Sequence, residues 1–165
     1  NPDPGKYAAG DQFDPLIAGW VRYWNEVLAP EEPLNPNLVK ALIATESSFR
    51  SDELANKKNL NSARGLMQLT NDSRKALGDE KGEIKDHYLT LTREELNDPS
   101  ANICAGVRWL FRKKRLASGK LGRVASWEEA VSEYKSTLTP KTPAKAKRAK
   151  ELMDRFRDYL KELEK

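Results

Sequence analysis

The most informative stretch of the sequence is residues 45–70, which read TESSFRSDELANKKNLNSARGLMQLT. A carboxylate, Glu46, stands at the end of an apolar run, a polar segment follows, and the stretch returns to the apolar GLMQ at 65–68. A carboxyl group beside apolar side chains loses solvation, which raises its pKa and keeps a proton available near neutral pH. Glu46 is therefore a candidate general acid, although helical periodicity alone favours an ordinary solvent-exposed glutamate at a helix end.

Helical patterns extend on both sides of this stretch. Four helix starts carry a capping residue followed by a proline or by a capping box: Asp14-Pro15, Asn35-Pro36, Asp98-Pro99 and Ser126-Trp127-Glu128-Glu129. A further helix follows Pro143, and no alternating strand pattern of useful length occurs. The sequence predicts an all-α, single globular domain over residues 14–165, preceded by a tail or linker over residues 1–13.

The composition of the chain restricts which kinds of protein and site are expected. The chain has 165 residues, no apolar run near the roughly 20 residues of a membrane span, and one cysteine, Cys104, which is predicted to pack in the core. The lone His87 has no ligand partner at a useful spacing and is predicted to lie at the surface, so neither a metal site nor a cofactor is expected. The sequence starts at Asn1 without a signal-peptide pattern, and the expectation is a mature form or an excised domain.

The net charge of +4 fits an acidic polymer as the partner, either a cell-wall glycan or a nucleic acid. The basic run over residues 141–150 raises the nucleic-acid alternative. That run lacks interleaved aromatic side chains, and the acids Glu151, Asp154 and Asp158 follow it at once, so a solvated amphipathic helix explains it better. Binding to nucleic acid is therefore not predicted.

Four stretches of the chain stand in the order in which one known family carries them. They are ESSF at 46–49, ARGLMQL at 63–69, NICAG at 102–106 with Trp109-Leu110, and Tyr134. In these residues the chain resembles the soluble lytic transglycosylases, which share the lysozyme-like fold with goose-type lysozymes. The resemblance implies a lysozyme-like, all-α domain that acts on the glycan strands of peptidoglycan without a cofactor. It also implies action in the periplasm or cell envelope. The departures from the family pattern and the missing signal add the expectation of a secreted or injected protein.

The resemblance assigns roles position by position. Glu46 would be the single catalytic residue, acting first as acid and then as base. The residues that would line the glycan groove or contact the substrate are Gln68, Met67, Tyr134, Ser47 and Gly65. Among these, Tyr134 would sit across the cleft near Glu46, and Gly65 would let the backbone approach the sugar. Asn102 and Gly106 would be structural, the first through hydrogen bonds near a helix start and the second through close packing.

The implied reaction is cleavage of the β-1,4 bond between N-acetylmuramic acid and N-acetylglucosamine. Glu46 would protonate the leaving oxygen, while the acetamido oxygen of the substrate stabilises the charge that develops at the anomeric carbon. Glu46 would then deprotonate the muramyl 6-hydroxyl group, which attacks to give a 1,6-anhydro product. This scheme requires one protein carboxylate, whereas hydrolysis with inversion uses a pair.

Two alternatives of the same fold remain open. A hydrolytic muramidase would need a second carboxylate to position water, and goose-type lysozymes carry an aspartate just beyond GLMQ, where this chain has Thr70. The acids that lie near in the sequence are Asp52, Glu53 and Asp72. A non-catalytic peptidoglycan-binding module would have the same fold and would hold peptidoglycan without cleaving it. The residues Lys135-Ser136-Thr137, which follow Tyr134 where the family has Asn-Ala-Gly, argue mildly for this second alternative.

Overall fold

Six α-helices make up most of the regular structure in the computed structural model, which describes residues 10–82 and 84–165. They are α1 (Asp14–Leu28), α2 (Pro36–Ser47), α3 (Asn71–Gly78), α4 (Pro99–Leu121), α5 (Trp127–Tyr134) and α6 (Pro143–Leu163). Short 3-10 helices occupy Asp11–Phe13, Lys85–His87 and Glu94–Asn97. Within these described residues, the strand-like pairing is limited to isolated bridges of Leu54 with Arg64 and of Arg64 with Leu69. The predicted all-α fold is confirmed.

Three of the four predicted helix starts have the predicted cap. The side chains of Asn35, Asp98 and Ser126 accept hydrogen bonds from backbone N–H groups in the first turns of α2, α4 and α5. These caps satisfy N–H groups that have no partner within the helix, and they therefore fix where each helix begins. Ser126 also forms the predicted capping box with Glu129.

The start of α1 differs from the prediction. Asp14 is the first residue of the helix rather than its cap, because the chain enters α1 directly from the 3-10 helix Asp11–Phe13. The Asp14 carboxylate instead lies 2.8 Å from the ammonium group of Lys40, which also lies 2.6 Å from the Asp11 carboxylate. Burial alone would lower the Lys40 pKa, but the two carboxylates outweigh burial and raise it.

The folded part of the chain begins earlier than the predicted boundary at residue 14. Phe13 is buried and belongs to the hydrophobic core, so residues 11–13 are not part of a free tail. Burying a phenylalanine side chain contributes about 1.5–3 kcal/mol, and the ion pair of Asp11 with Lys40 adds a second contact that holds the segment against the domain. The rest of the predicted tail, residues 1–9, lies outside the described residues.

The packing places α2 inside the domain. Helix α4 packs against α1 and α5, while α2 packs against α1 and α6. Val39, Leu42 and Ile43 of α2 have no exposed surface, so this helix is enclosed by its neighbours. Because tertiary packing supplies most of the stability of a short helix, the end of α2, where Glu46 lies, has a well-supported position.

Two predictions about single residues are confirmed. Cys104 is buried in α4, where burial raises the pKa of its thiol to about 11, and His87 is exposed. In the described ranges no helix is long and apolar enough to cross a membrane. In the same ranges no group of three or more His, Cys, Asp or Glu side chains is arranged to hold a metal ion.

Candidate active site

Glu46 lies in the last turn of α2, where the chain turns sharply away from the helix. Its side chain keeps 20% of its surface exposed, while Ile43, one turn earlier, has none. Ser48 and Phe49 both adopt left-handed backbone conformations, with φ of 53° and 63°, and the Phe49 side chain is buried. This turn ends the helix at Ser47, one residue after Glu46, and anchors the loop that follows, so the carboxyl group reaches the surface from a fixed support.

A buried cation contacts the Glu46 carboxylate. Lys135 Nζ lies 3.2 Å from Glu46 Oε1 and donates a second hydrogen bond, of 2.9 Å, to Thr45 Oγ1. The Lys135 side chain is 5% exposed. Burial lowers the Lys135 pKa, and the neighbouring Glu46 carboxylate opposes this shift. The sequence predicted apolar surroundings for Glu46 and marked Lys135 as a departure from the family pattern, without a role; the structure places its ammonium group on the carboxylate.

Tyr134, the last residue of α5, lies beside this pair. Its hydroxyl group donates a 2.5 Å hydrogen bond to the backbone oxygen of Met67. Burial raises the Tyr134 pKa well above its usual range, and the nearby Glu46 charge raises it further. Tyr134 thus ties the end of α5 to the GLMQ segment and keeps a neutral phenol close to Glu46.

Replacing Tyr134 with phenylalanine should lower the free energy of unfolding by about 1–2 kcal/mol, because the buried Met67 carbonyl group loses its hydrogen bond. The ring remains in place, so the surrounding packing should change little. Chemical denaturation measures the difference. Tyr23→Phe, at an exposed residue, is the control and should change the same quantity by less than about 0.5 kcal/mol. Equal stabilities of the Tyr134 and Tyr23 variants would contradict the role given to this hydrogen bond.

The GLMQ segment, residues 65–68, is a tight turn held by one side chain of α4. Asn102 is 1% exposed, and its side-chain oxygen accepts a 2.8 Å hydrogen bond from the Met67 N–H group. The amide nitrogen of Asn102 donates to the backbone oxygens of Arg64, at 3.0 Å, and Leu96, at 2.8 Å. Asn102 therefore has the structural role that was predicted for it.

Two glycines allow the GLMQ segment and α4 to approach this closely. A Cβ atom on Gly65, whose φ is +79°, would lie 2.2 Å from Asn102 Nδ2 and 2.3 Å from the Leu96 carbonyl oxygen. A Cβ atom on Gly106 would lie 2.3 Å from Met67 Sδ. Glycine is therefore required at Gly65 both for its left-handed conformation and for space, while Gly106 provides the close packing that was predicted.

Three of the five predicted substrate-contacting residues lie below the surface. Met67 has no exposed surface, and its sulfur packs against α4. Ser47 is buried and donates a hydrogen bond to the Ile43 backbone oxygen within its own helix. Gly65 is buried as well. In the free protein these three residues therefore lie behind the surface around Glu46, where Ser47 fits the predicted alternative of holding the loop, and contact of the three residues with the sugar stays a prediction.

Gln68 and Tyr134 are the two predicted residues that keep partly exposed surface. The amide nitrogen of Gln68 donates to the backbone oxygens of Glu53, at 3.2 Å, and Gly65, at 3.0 Å. Its two donors are thus occupied by the protein itself. The side-chain carbonyl oxygen of Gln68 is the group that a ligand could still use, as an acceptor.

The position just beyond GLMQ holds a helix cap. The Thr70 hydroxyl oxygen accepts a 3.1 Å hydrogen bond from the Ser73 N–H group at the start of α3. Of the acids that lie near in the sequence, Glu53 pairs with Arg50, while Asp52 and Asp72 are exposed. Thr70 therefore offers no carboxylate at the place where goose-type lysozymes carry their second acid.

A family model matches most of the chain. The model described as Transglycosylase SLT domain covers residues 24–155. This range contains Glu46, the GLMQ segment, Asn102, Tyr134 and Lys135. No curated protein matches the chain.

Proposed function

The chain belongs to the transglycosylase SLT domain family of lysozyme-like proteins that act on peptidoglycan, and we propose that it is a lytic transglycosylase. Its substrate is the β-1,4 bond between N-acetylmuramic acid and N-acetylglucosamine, and Glu46 is the single acid and base. The observation that carries the proposal is the placement of Glu46. Its side chain is 20% exposed at the end of an enclosed helix, and its carboxyl group lies next to the fixed phenol of Tyr134.

The proposed reaction uses one carboxyl group twice, first as an acid and then as a base. The protonated Glu46 carboxyl group gives its proton to the glycosidic oxygen as the bond from that oxygen to the anomeric carbon breaks. The acetamido oxygen of the substrate stabilises the positive charge on that carbon. The Glu46 carboxylate then takes the proton of the muramyl 6-hydroxyl group, whose oxygen forms the new bond to the anomeric carbon. No water enters, and the product carries a 1,6-anhydro ring.

The surroundings of GLMQ support this reaction over hydrolysis. Inverting hydrolysis requires a second carboxylate that activates water on the opposite face of the sugar. The position where goose-type lysozymes carry that acid is Thr70, whose hydroxyl group is occupied as the cap of α3. A one-carboxylate mechanism with an internal nucleophile therefore fits these residues better.

A second candidate function, a module that binds peptidoglycan without cleaving it, is favoured by one observation. The Lys135 ammonium group lies 3.2 Å from the Glu46 carboxylate. This ion pair gives the Glu46 carboxylate a partner within the protein, as in a site that holds a glycan without reacting with it. Turnover of peptidoglycan separates the two candidates, because a binding module produces none.

The proposed partner is the glycan strand of peptidoglycan, and the proposed place of action is the periplasm or cell envelope. The surface charge agrees with this substrate, since a net charge of +4 attracts an acidic polymer. Acids follow the basic run at the start of α6, and one of them, Asp154, pairs with Lys150 and Arg157. This pattern is typical of a solvated helix rather than of a nucleic-acid surface.

Mass spectrometry of the soluble products from purified peptidoglycan tests the proposal. The expected products carry 1,6-anhydromuramic ends, which are lighter than hydrolytic products by one water. Reducing ends would instead establish a muramidase and direct attention to Asp52, Glu53 and Asp72. A protein that binds the same peptidoglycan in a pull-down assay and releases no products would be a binding module.

A further inference from the structure

We propose that Lys135 is the proton partner of Glu46. The two side chains share one proton, which lies on Lys135 in the free protein and passes to Glu46 when the glycan covers the pair. This inference rests on the proposed function, because it explains how a carboxylate held by a cation acts as an acid. Lys135 does not touch the reacting atoms in this scheme, and it acts through Glu46.

The geometry allows direct proton transfer. Lys135 Nζ and Glu46 Oε1 are 3.2 Å apart, and the hydrogen bond between them needs no intervening water molecule. The lysine is held at both ends: its backbone N–H group donates to the Val131 oxygen at the end of α5, and its ammonium group also donates to Thr45. An ammonium group fixed in this way remains on the carboxylate rather than moving into solvent.

The surroundings of Lys135 lower the pKa of its ammonium group. Burial disfavours the ammonium form and lowers the Lys135 pKa, and Arg155 on α6 lowers it further through repulsion. The opposing group is the Glu46 carboxylate on α2. On α5, the phenol of Tyr134 is neutral because its own pKa is raised. The charged form of Lys135 is therefore stabilised by the Thr45 hydroxyl group and, as its charged partner, by the carboxylate that needs a proton for catalysis.

Substrate binding supplies the step that moves the proton. In the free protein the Glu46 side chain keeps contact with water through its 20% exposed surface. A sugar ring over the carboxyl group removes that water, and a buried ion pair deprived of solvent is costly compared with its neutral form. Transfer of the proton from Lys135 to Glu46 removes both charges at once, because the ammonium group becomes an amine and the carboxylate becomes a carboxylic acid.

The transfers balance over one turnover. Glu46 gives the proton that it received from Lys135 to the glycosidic oxygen and becomes a carboxylate again. It then takes the proton of the muramyl 6-hydroxyl group, as in the proposed reaction. When the product leaves and water returns to the site, this proton passes back to the Lys135 amine. The pair ends with the same proton count with which it began, and no other reactant is needed.

Two replacements of Lys135 test the inference, measured as rates of product formation between about pH 5 and about pH 9. Lys135→Arg keeps the positive charge and the hydrogen bond, but a guanidinium group does not release its proton in a protein. We expect activity near neutral pH to fall by at least about 100-fold. Lys120→Arg is the matched control, because Lys120 also pairs with a buried glutamate, at 2.7 Å from Glu133, and it should retain the wild-type rate.

Lys135→Asn introduces the residue that the family carries at this position, and it neither holds nor releases a proton. Glu46 must then take its proton from solvent, so the fall in activity on the alkaline side should move toward acid pH. Relative to the wild type, the variant should lose about 10-fold or more in rate at the alkaline end of the range and little at the acid end. Thermal unfolding establishes that each variant is folded. If Lys135→Arg does not fold, the pH dependence of the Lys135→Asn rate tests the inference by itself.

Three outcomes would overturn the inference. An active Lys135→Arg protein would mean that the lysine only orients Glu46. A Lys135→Asn protein that loses the same factor at every pH would mean the same. In both cases the proposed function would still be supported if the wild-type protein cleaves peptidoglycan and the Glu46→Gln protein does not. A wild-type protein without turnover would instead overturn the proposed function, and this inference with it.

Discussion

Replacing Glu46 with glutamine is expected to reduce product formation from peptidoglycan by about 1,000-fold. Glutamine has nearly the shape of glutamate, and its side-chain oxygen can still accept the hydrogen bond from Lys135. It has no acidic proton to give to the glycosidic oxygen and cannot take one from the 6-hydroxyl group. The loss should therefore appear in the chemical step, while the fold and the affinity for the glycan remain.

Rates of soluble product formation measure this loss, and thermal unfolding and glycan pull-down assays show whether fold and binding are retained. Glu53→Gln is the matched control, because Glu53 lies in the loop after Glu46 and its carboxylate pairs with the exposed Arg50. That variant should keep most of the activity if Glu46 is the single acid and base. Comparable losses in both variants would point to a two-carboxylate, hydrolytic reaction. A Glu46→Gln protein that cleaves at the wild-type rate would mean that another group supplies the proton.

The fold could be predicted from the sequence because the residues that mark each helix start act on nearby residues of the chain. The caps at Asn35, Asp98 and Ser126 each act within a few residues of themselves, and the structure places them where they were predicted. The start of α1 could not be predicted from nearby residues. Asp14 resembles a cap in the sequence, but its carboxylate pairs with Lys40, a residue of the next helix, and this pairing depends on tertiary structure.

The site could be predicted from the sequence only in part. The sequence did not show which side chains of a segment face the surface. The resemblance located the GLMQ segment but gave no orientation for its side chains, so buried Met67 and half-buried Gln68 were given similar roles. The Lys135 contact was missed because it joins residues 89 positions apart in the chain. The signal that could have found it was present: a lysine that replaces the asparagine of the family pattern, directly after the tyrosine expected near Glu46.

Replacing Asn102 with alanine is expected to lower the free energy of unfolding by about 3–5 kcal/mol. Two buried backbone groups lose a partner at once, the Met67 N–H group and the Leu96 carbonyl group, while the part-buried Arg64 carbonyl group keeps its hydrogen bond from the Leu69 N–H group. Each unsatisfied group costs about 1–3 kcal/mol, and some water will enter the space that the amide leaves. Because Asn102 joins the GLMQ segment to α4 by these hydrogen bonds, the position of the segment should become less defined.

Asn25→Ala is the comparison that separates this effect from a general loss of stability. The Asn25 side chain also bridges two backbone groups, the N–H and carbonyl of Leu34, but it joins the end of α1 to the segment before α2. Both variants should unfold at lower denaturant concentration than the wild type. At a temperature where both are folded, Asn25→Ala should cleave at the wild-type rate, whereas Asn102→Ala should be slower, because Tyr134 hydrogen-bonds to Met67 beside Glu46. Equal activities would mean that the GLMQ segment does not need Asn102 to support the site, and that its attachment through Tyr134 suffices.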